Sequence, residues 1–177
     1  MSFLKEILEA IINLKRNSIV TIDSQNLAAT TDYAAKDVLS NSATAGRSFA
    51  FDNAVRKKGG TGTIEKAIAY CSVTGLTPRI TLYLFNAKPT GTLNDNAANN
   101  SPVLADHPSF EGQIDFLAAE DLGGGSTSVV TVGTYGNLAL PFHCAEKTLY
   151  SIAVTRDAIT GEVAGMVLSF KLQIKWD

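Results

Sequence analysis

Histidine and cysteine are scarce in this 177-residue chain, at two each, and the scarcity removes most catalytic and transition-metal chemistry. Zinc-type sites need clustered His and Cys ligands, whereas His107, His143, Cys71 and Cys144 are dispersed. Nucleophilic catalysis needs a nucleophile and a base within reach of each other. His143 and Cys144 adjoin in sequence, but neighbours on a strand point to opposite faces, so they form no simple thiolate pair. A dyad of His107 with Cys144 or with a serine is open geometrically and supported by no motif. Both cysteines lie in apolar, strand-like text, where buried free thiols are expected. A disulfide between them is the alternative, though two cysteines make no framework.

Basic charge is also lacking. The net charge is −2 and the pI is near 5.7, against the basic footprint that phosphate neutralisation requires, so no nucleic-acid partner is expected. The one basic triplet, Arg56-Lys57-Lys58, precedes Gly59-Gly60 and reads as a solvated turn. No apolar run approaches the ~18–20 residues of a membrane span. In the N-terminal stretch Lys5, Glu6 and Glu9 interrupt any secretory h-region. The expectation is a protein soluble where it is made, with no membrane partner.

Familiar site motifs are missing as well. Gly59-Gly60-Thr61-Gly62-Thr63 lacks the Gly-Lys-Ser/Thr ending of a phosphate loop and leads into a strand. Asn94, Asp95, Asn96 and Asp106 supply the hard oxygens that calcium uses, but not at the alternating spacing of an EF-hand loop. Asn and Asp are also turn formers that bond their own backbone. Turn chemistry is therefore the first reading of these four residues and a structural calcium the second. Glu111, Asp115, Glu120 and Asp121 read as a solvated face rather than a glycosidase pair. Tyr70, Tyr83, Phe85 and Tyr135 belong to a core or, less simply, to a sugar-stacking platform. No catalytic residue, metal or cofactor is assigned, and the protein is read as a non-enzyme.

What the chain does have is material for one packed domain with a short appendage, at 45% hydrophobic and 18% charged residues. Residues 3–16 read as an amphipathic helix. Phe3, Leu4, Ile7, Leu8, Ile11 and Ile12 share one face, with Ser2 as its N-cap. A helix of about fourteen residues is marginal alone in water, so that face needs cover from its own domain, a sister subunit or another surface. The chain divides into a helical arm, 1–17, and a β domain, 18–177.

Beyond the arm the text is β. Residues 18–22 suggest a short first strand and 23–46 read as loop with one edge strand at Val38-Leu39. Phe49 and Phe51 alternate. In 62–74, Ile64, Ile68 and Tyr70 share one parity and Ala67, Ala69, Cys71 and Val73 the other. Ile80, Leu82 and Leu84 point inward. Further strands are expected at 110–118, 129–132, 138–142 and 149–155. The last strand alternates strictly from Ala164 to Trp176, as an antiparallel strand with one wet face does. Seven to nine strands with turn signals between them predict an all-β antiparallel sandwich, jelly-roll-like. The buried tryptophan flanked by cysteines of an immunoglobulin domain is missing.

Strands 79–86 and 110–116 are separated by the long polar excursion Ala87 to Pro108, far above the usual ~4–6-residue connection. Here the chain resembles a known class. The run from Arg79 to Thr90, then Leu93 to Asn99, Ala105-Asp106 and Gly112 to Phe116, is similar to small virion structural proteins of tailed bacteriophages. So are Phe51 to Arg56 with Gly59 to Gly62, and Gly136 to Phe142. The resemblance covers roughly residues 33–170 and leaves out the arm. It implies a non-enzymatic β-sandwich subunit of the virion, made in the host cytoplasm. Such a subunit would be a capsid decoration, cement or head-fibre protein, often trimeric, with the major capsid protein or other virion proteins as partners. In that setting the arm face (Phe3, Leu4, Ile7, Leu8, Ile11, Ile12) is the expected interaction surface. The loop residues Asn94, Asp95, Asn96 and Asp106 are a second candidate contact. A carbohydrate-binding jelly-roll module is the competing expectation.

Overall fold

The period-two text folds as antiparallel strands in a computed structural model that describes Lys5 and residues 18–28, 32–73, 77–133, 138–161 and 165–177. Except for Lys5, which is helical and exposed, the expected arm helix lies outside the described residues, as does Tyr135. Eleven strands are described: β1 (Ser18–Asn26), β2 (Val38–Leu39), β3 (Phe49–Phe51), β4 (Thr61–Cys71), β5 (Ile80–Phe85), β6 (Phe110–Phe116), β7 (Glu120–Asp121), β8 (Ser126–Thr131), β9 (Leu140–His143), β10 (Leu149–Thr155) and β11 (Val167–Trp176).

They form two sheets. The first runs β1-β11-β4-β8-β7, with β9 also paired to β4; the second runs β2-β10-β5-β6, with β3 also paired to β10. Every pair is antiparallel, and the pairs nest. β1 takes β11, the short β2 and β3 take β10, β4 takes β8 and β9 end to end, and β5 takes β6. A hairpin of nested pairs rolled into two sheets is the jelly-roll topology, so the expected all-β antiparallel sandwich is the fold.

The inner faces supply the core. Ile64, Ala67, Phe170, Leu172 and Ile174 of the first sheet meet Leu82, Leu84, Ile114, Phe116 and Leu149 of the second, all at most 1% exposed. Phe170 sits at the centre, its ring 4.9 Å from Phe49 edge-on and 5.6 Å from Phe116. Each of the leucine, isoleucine and phenylalanine side chains contributes roughly 1.5–3 kcal/mol by leaving water.

Three local readings change. Ile64 belongs with Ala67, Ala69 and Cys71 on the inner face, not with Ile68 and Tyr70. Gln173 pairs with Lys66 and Ile174 with Ile64, so Glu65 is an extra residue that reverses the parity. β1 runs to Asn26 rather than ending at Ile22, although its later inward positions, Asp23 and Gln25, are polar. They are satisfied by the 40–50 loop: Arg47 Nη1 donates to Asp23 at 2.7 Å, the Ala50 amide donates to it at 2.8 Å, and Gln25 donates to the Arg47 carbonyl. Finally, Leu104–Ser109 is a 3-10 helix inside the excursion, where no helix was expected.

The two sheets differ on their outer faces. On the outer face of the second sheet Val38, Phe85, Ile152 and Val154 form a second buried cluster, against which Leu93 of the excursion packs together with Tyr83, Phe110 and Tyr150 of the sheet itself. Residues 96–99 also extend the edge beyond β2. The Val38 amide donates to Ala97, Asn96 to Val38 and Asn99 to Lys36. Covering an open edge in this way blocks unwanted strand pairing.

Candidate functional site

The residues singled out in the excursion are drawn together, but inward. Asp106 is 3% exposed. Its carboxylate accepts from the Thr90 amide at 2.9 Å, the Thr90 hydroxyl at 2.7 Å and the Gly91 amide at 3.1 Å. Asp95, also 3% exposed, accepts from the Tyr33 hydroxyl at 2.8 Å and the Ser40 amide at 2.5 Å. Asn94 Oδ1 faces the Gly46 amide at 3.3 Å, and Asn96 turns the chain in the left-handed region at φ 57°. N–H and O–H donors aimed at a carboxylate occupy the positions a cation would need, so these groups work as turn and loop ties. Among the described residues no cluster of three or more His, Cys, Asp or Glu is placed to hold a metal ion. The seat is tight: a Cβ on Gly46 would lie 1.7 Å from the Leu93 carbonyl oxygen.

The dispersed histidines and thiols do not assemble a reactive pair. His107 is exposed on the 3-10 helix, and both cysteines are free and buried. Burial, and then the nearby Glu111 carboxylate, push the Cys144 thiol up to about 12, the opposite of activation. Cys71 is raised as well, chiefly by burial. His143 points outward from β9 while Cys144 points into the core, as alternation requires.

Sequence reading missed the partner of His143. Glu111, taken for a solvated acid, has a side chain only 10% exposed, and its Oε1 lies 2.8 Å from His143 Nδ1. Asn86 Nδ2 donates to the same oxygen at 2.5 Å and lies 2.8 Å from His143 Nε2. His143, Glu111 and Asn86 thus form one polar cluster, to which the His143 amide adds a bond to Glu111 Oε2 at 3.1 Å. The cluster joins the end of β5, β6 and β9, and so clips the two sheets together without an attacking group. Nothing in the local sequence marks Glu111 for this role, because its partner lies 32 residues away.

The open surface is the outer face of the first sheet. Register places Ile22, Lys171, Ile68 and Val129 in one row across β1, β11, β4 and β8. Val20, Gln173, Lys66 and Thr131 form the next row, and Ser24, Ser169, Tyr70 and Thr127 flank the first on its other side. Val20, Ile22, Tyr70 and Val129 are 42–56% exposed. Aliphatic side chains spread over these rows, interleaved with Lys171, Lys66 and threonine, give the strand surface the character of a contact face. Tyr70 and Tyr83 stand on different sheets and Phe85 is buried, so these aromatics make no common platform.

No protein-family model and no curated protein matches the chain. Among solved structures, a chain of tomato aspermy virus aligns over 96% of this chain and 94% of its own, at 7% identity and TM-score 0.32. Desmodium yellow mottle tymovirus aligns over 90% and 80%, at 9% identity and TM-score 0.30. The decameric BFDV capsid protein aligns over 90% and 96%, at 11% identity and TM-score 0.28. Likeness at this level carries no argument, and the fold class rests on the nested strand pairing alone.

Proposed function

We propose that the protein is a non-enzymatic structural subunit of a bacteriophage virion, which decorates or cements the capsid exterior as a homotrimer. The observation that carries this reading is the row Ile22, Lys171, Ile68 and Val129, with Val20 and Tyr70 beside it, on a rigid two-sheet body. The resemblance of the 79–116 region to small virion proteins of tailed phages supports the same reading. So does the inward, saturated chemistry of the excursion, which builds surface rather than a reaction site.

The occupant of the row is the arm of a sister subunit. The arm offers six apolar residues in helical phase for the aliphatic side chains of that face. A helix of fourteen residues is about 21 Å long, enough to cross four strands spaced ~4.8 Å apart. The arm also continues directly into Ser18 at the start of β1, the edge strand of that sheet.

Mass measurement in solution tests this. The full chain is expected to be trimeric, while a chain lacking residues 1–17 is expected to be a folded monomer that no longer binds particles. Ile22→Lys with Val129→Lys should have the same effect with the arm present. An unchanged oligomer in either variant would overturn the arrangement.

A further inference from the structure

The part of the second sheet that the excursion leaves open carries a polar pit of about 350 Å³. We propose that this pit is a binding site for a carboxylated sugar unit, of the hexuronate or nonulosonate class, and that it works independently of how the chain assembles.

Its floor is set by strand register. Tyr83 pairs with Gln113 and Thr81 with Asp115 across β5 and β6, and Val154 pairs with Thr81 from β10. Tyr83 is half-buried, its ring tilted against Phe110 at 6.3 Å, so the ring is held in place with one part open. A fixed ring with a flanking hydroxyl presents a flat apolar patch to the C–H face of a sugar; among the described residues the other apolar side chain of the pit is Val154, which at 3% exposure only closes its floor. That much apolar surface is too little for a lipid chain or a drug-like aromatic.

The polar lining is mostly donor. Asp115 is already engaged: Thr81 donates to it at 2.6 Å, Gln113 at 3.0 Å, and Arg156 pairs with it at 3.3 Å. Arg79 is likewise held by Asp157 at 2.6 Å. Lys36 lines the same pit and has no carboxylate partner among the described residues. The lining holds three cations and one carboxylate; with Arg79 matched by Asp157 from outside the pit, Lys36 is the cation left over, which suits a single carboxylate better than a neutral ligand.

Lys36 is also held in an unusual backbone state. It is a non-glycine residue at φ 75°, fixed because its amide donates to Thr155 and its carbonyl accepts from Asn99. A strained residue fixed from both sides at the rim of a pit that Tyr83 also lines is the pattern expected where side-chain position matters.

The test is an NMR titration of the full chain with glucuronate, galacturonate and N-acetylneuraminate, with glucose and acetate as controls. At least one acidic sugar should shift Tyr83, Thr81 and Val154 saturably, at tenfold lower concentration than glucose or acetate. Lys36→Gln, on the surface and outside the core, should weaken that binding at least fivefold, and Gln113→Ala should weaken it as well. The proposal is overturned if all three acids act no more strongly than acetate, if the shifts map elsewhere, or if Lys36→Gln binds as the unaltered chain does.

Discussion

At the scale of single residues, burial decides the chemistry more than residue type does. Cys144 is a thiol beside a histidine in sequence, yet it sits at 0% exposure with its proton held by desolvation and by the Glu111 charge. Its folded value of about 12 lies above the ordinary 9.0, so the unfolded chain loses this proton first. The resulting stability is complete below pH 9 and declines as the pH rises towards 12, by at most about 1.4 kcal/mol per pH unit. Urea midpoints measured from pH 8 to 11 should therefore fall less steeply in Cys144→Val than in the unaltered protein. Parallel slopes would mean that the thiol is not shielded in this way. Asp157 has the opposite sign. Hydrogen bonds from Arg79 lower it to about 2, so its modest, solvent-screened contribution is present above the ordinary 3.8 and lost as the pH falls through 2. The burial of Cys144 was legible in its apolar, strand-like text, whereas the Arg79 partner of Asp157 lies 78 residues away and leaves no local mark.

At the scale of elements, the excursion 87–108 packs Leu93 against a second apolar cluster and closes an edge. Asp106 is its main tie, so Asp106→Ala leaves the donors of Thr90 and Gly91 without an acceptor. That loss should cost about 3 kcal/mol and speed amide exchange at Thr90 and Gly91 well beyond that of β4 and β11. Unchanged exchange at those two amides would show that the loop is held by other means. The strands were legible wherever one face is apolar: β11 follows its alternation closely, whereas β10 is buried on both faces. β1 was cut short because its later inward residues are polar and are satisfied from the 40–50 loop, and the inner face of β4 was misassigned because one bulged residue, Glu65, reverses parity. A period-two pattern records neither of these events. The excursion's importance was visible from its length, but its inward-facing carboxylates were not, since Asn and Asp occur equally in exposed turns.

At the scale of the whole molecule, the two outer faces have different characters. One is an open sheet with aliphatic side chains and lysines, and the other is partly covered and carries a polar pit over Tyr83. A body of this kind can bind its neighbours through the first face while the second stays open to solvent. The jelly-roll topology accommodates the proposed place on a particle, but the same topology also serves lectins and enzymes, so the proposal rests on the outer face of the first sheet. The most direct measurement is electron microscopy of the parent particle with this chain labelled. The account predicts label at symmetry-related positions on the outside of the capsid, three copies to each site. Particles that carry no label, or that carry it only on the tail, would contradict it.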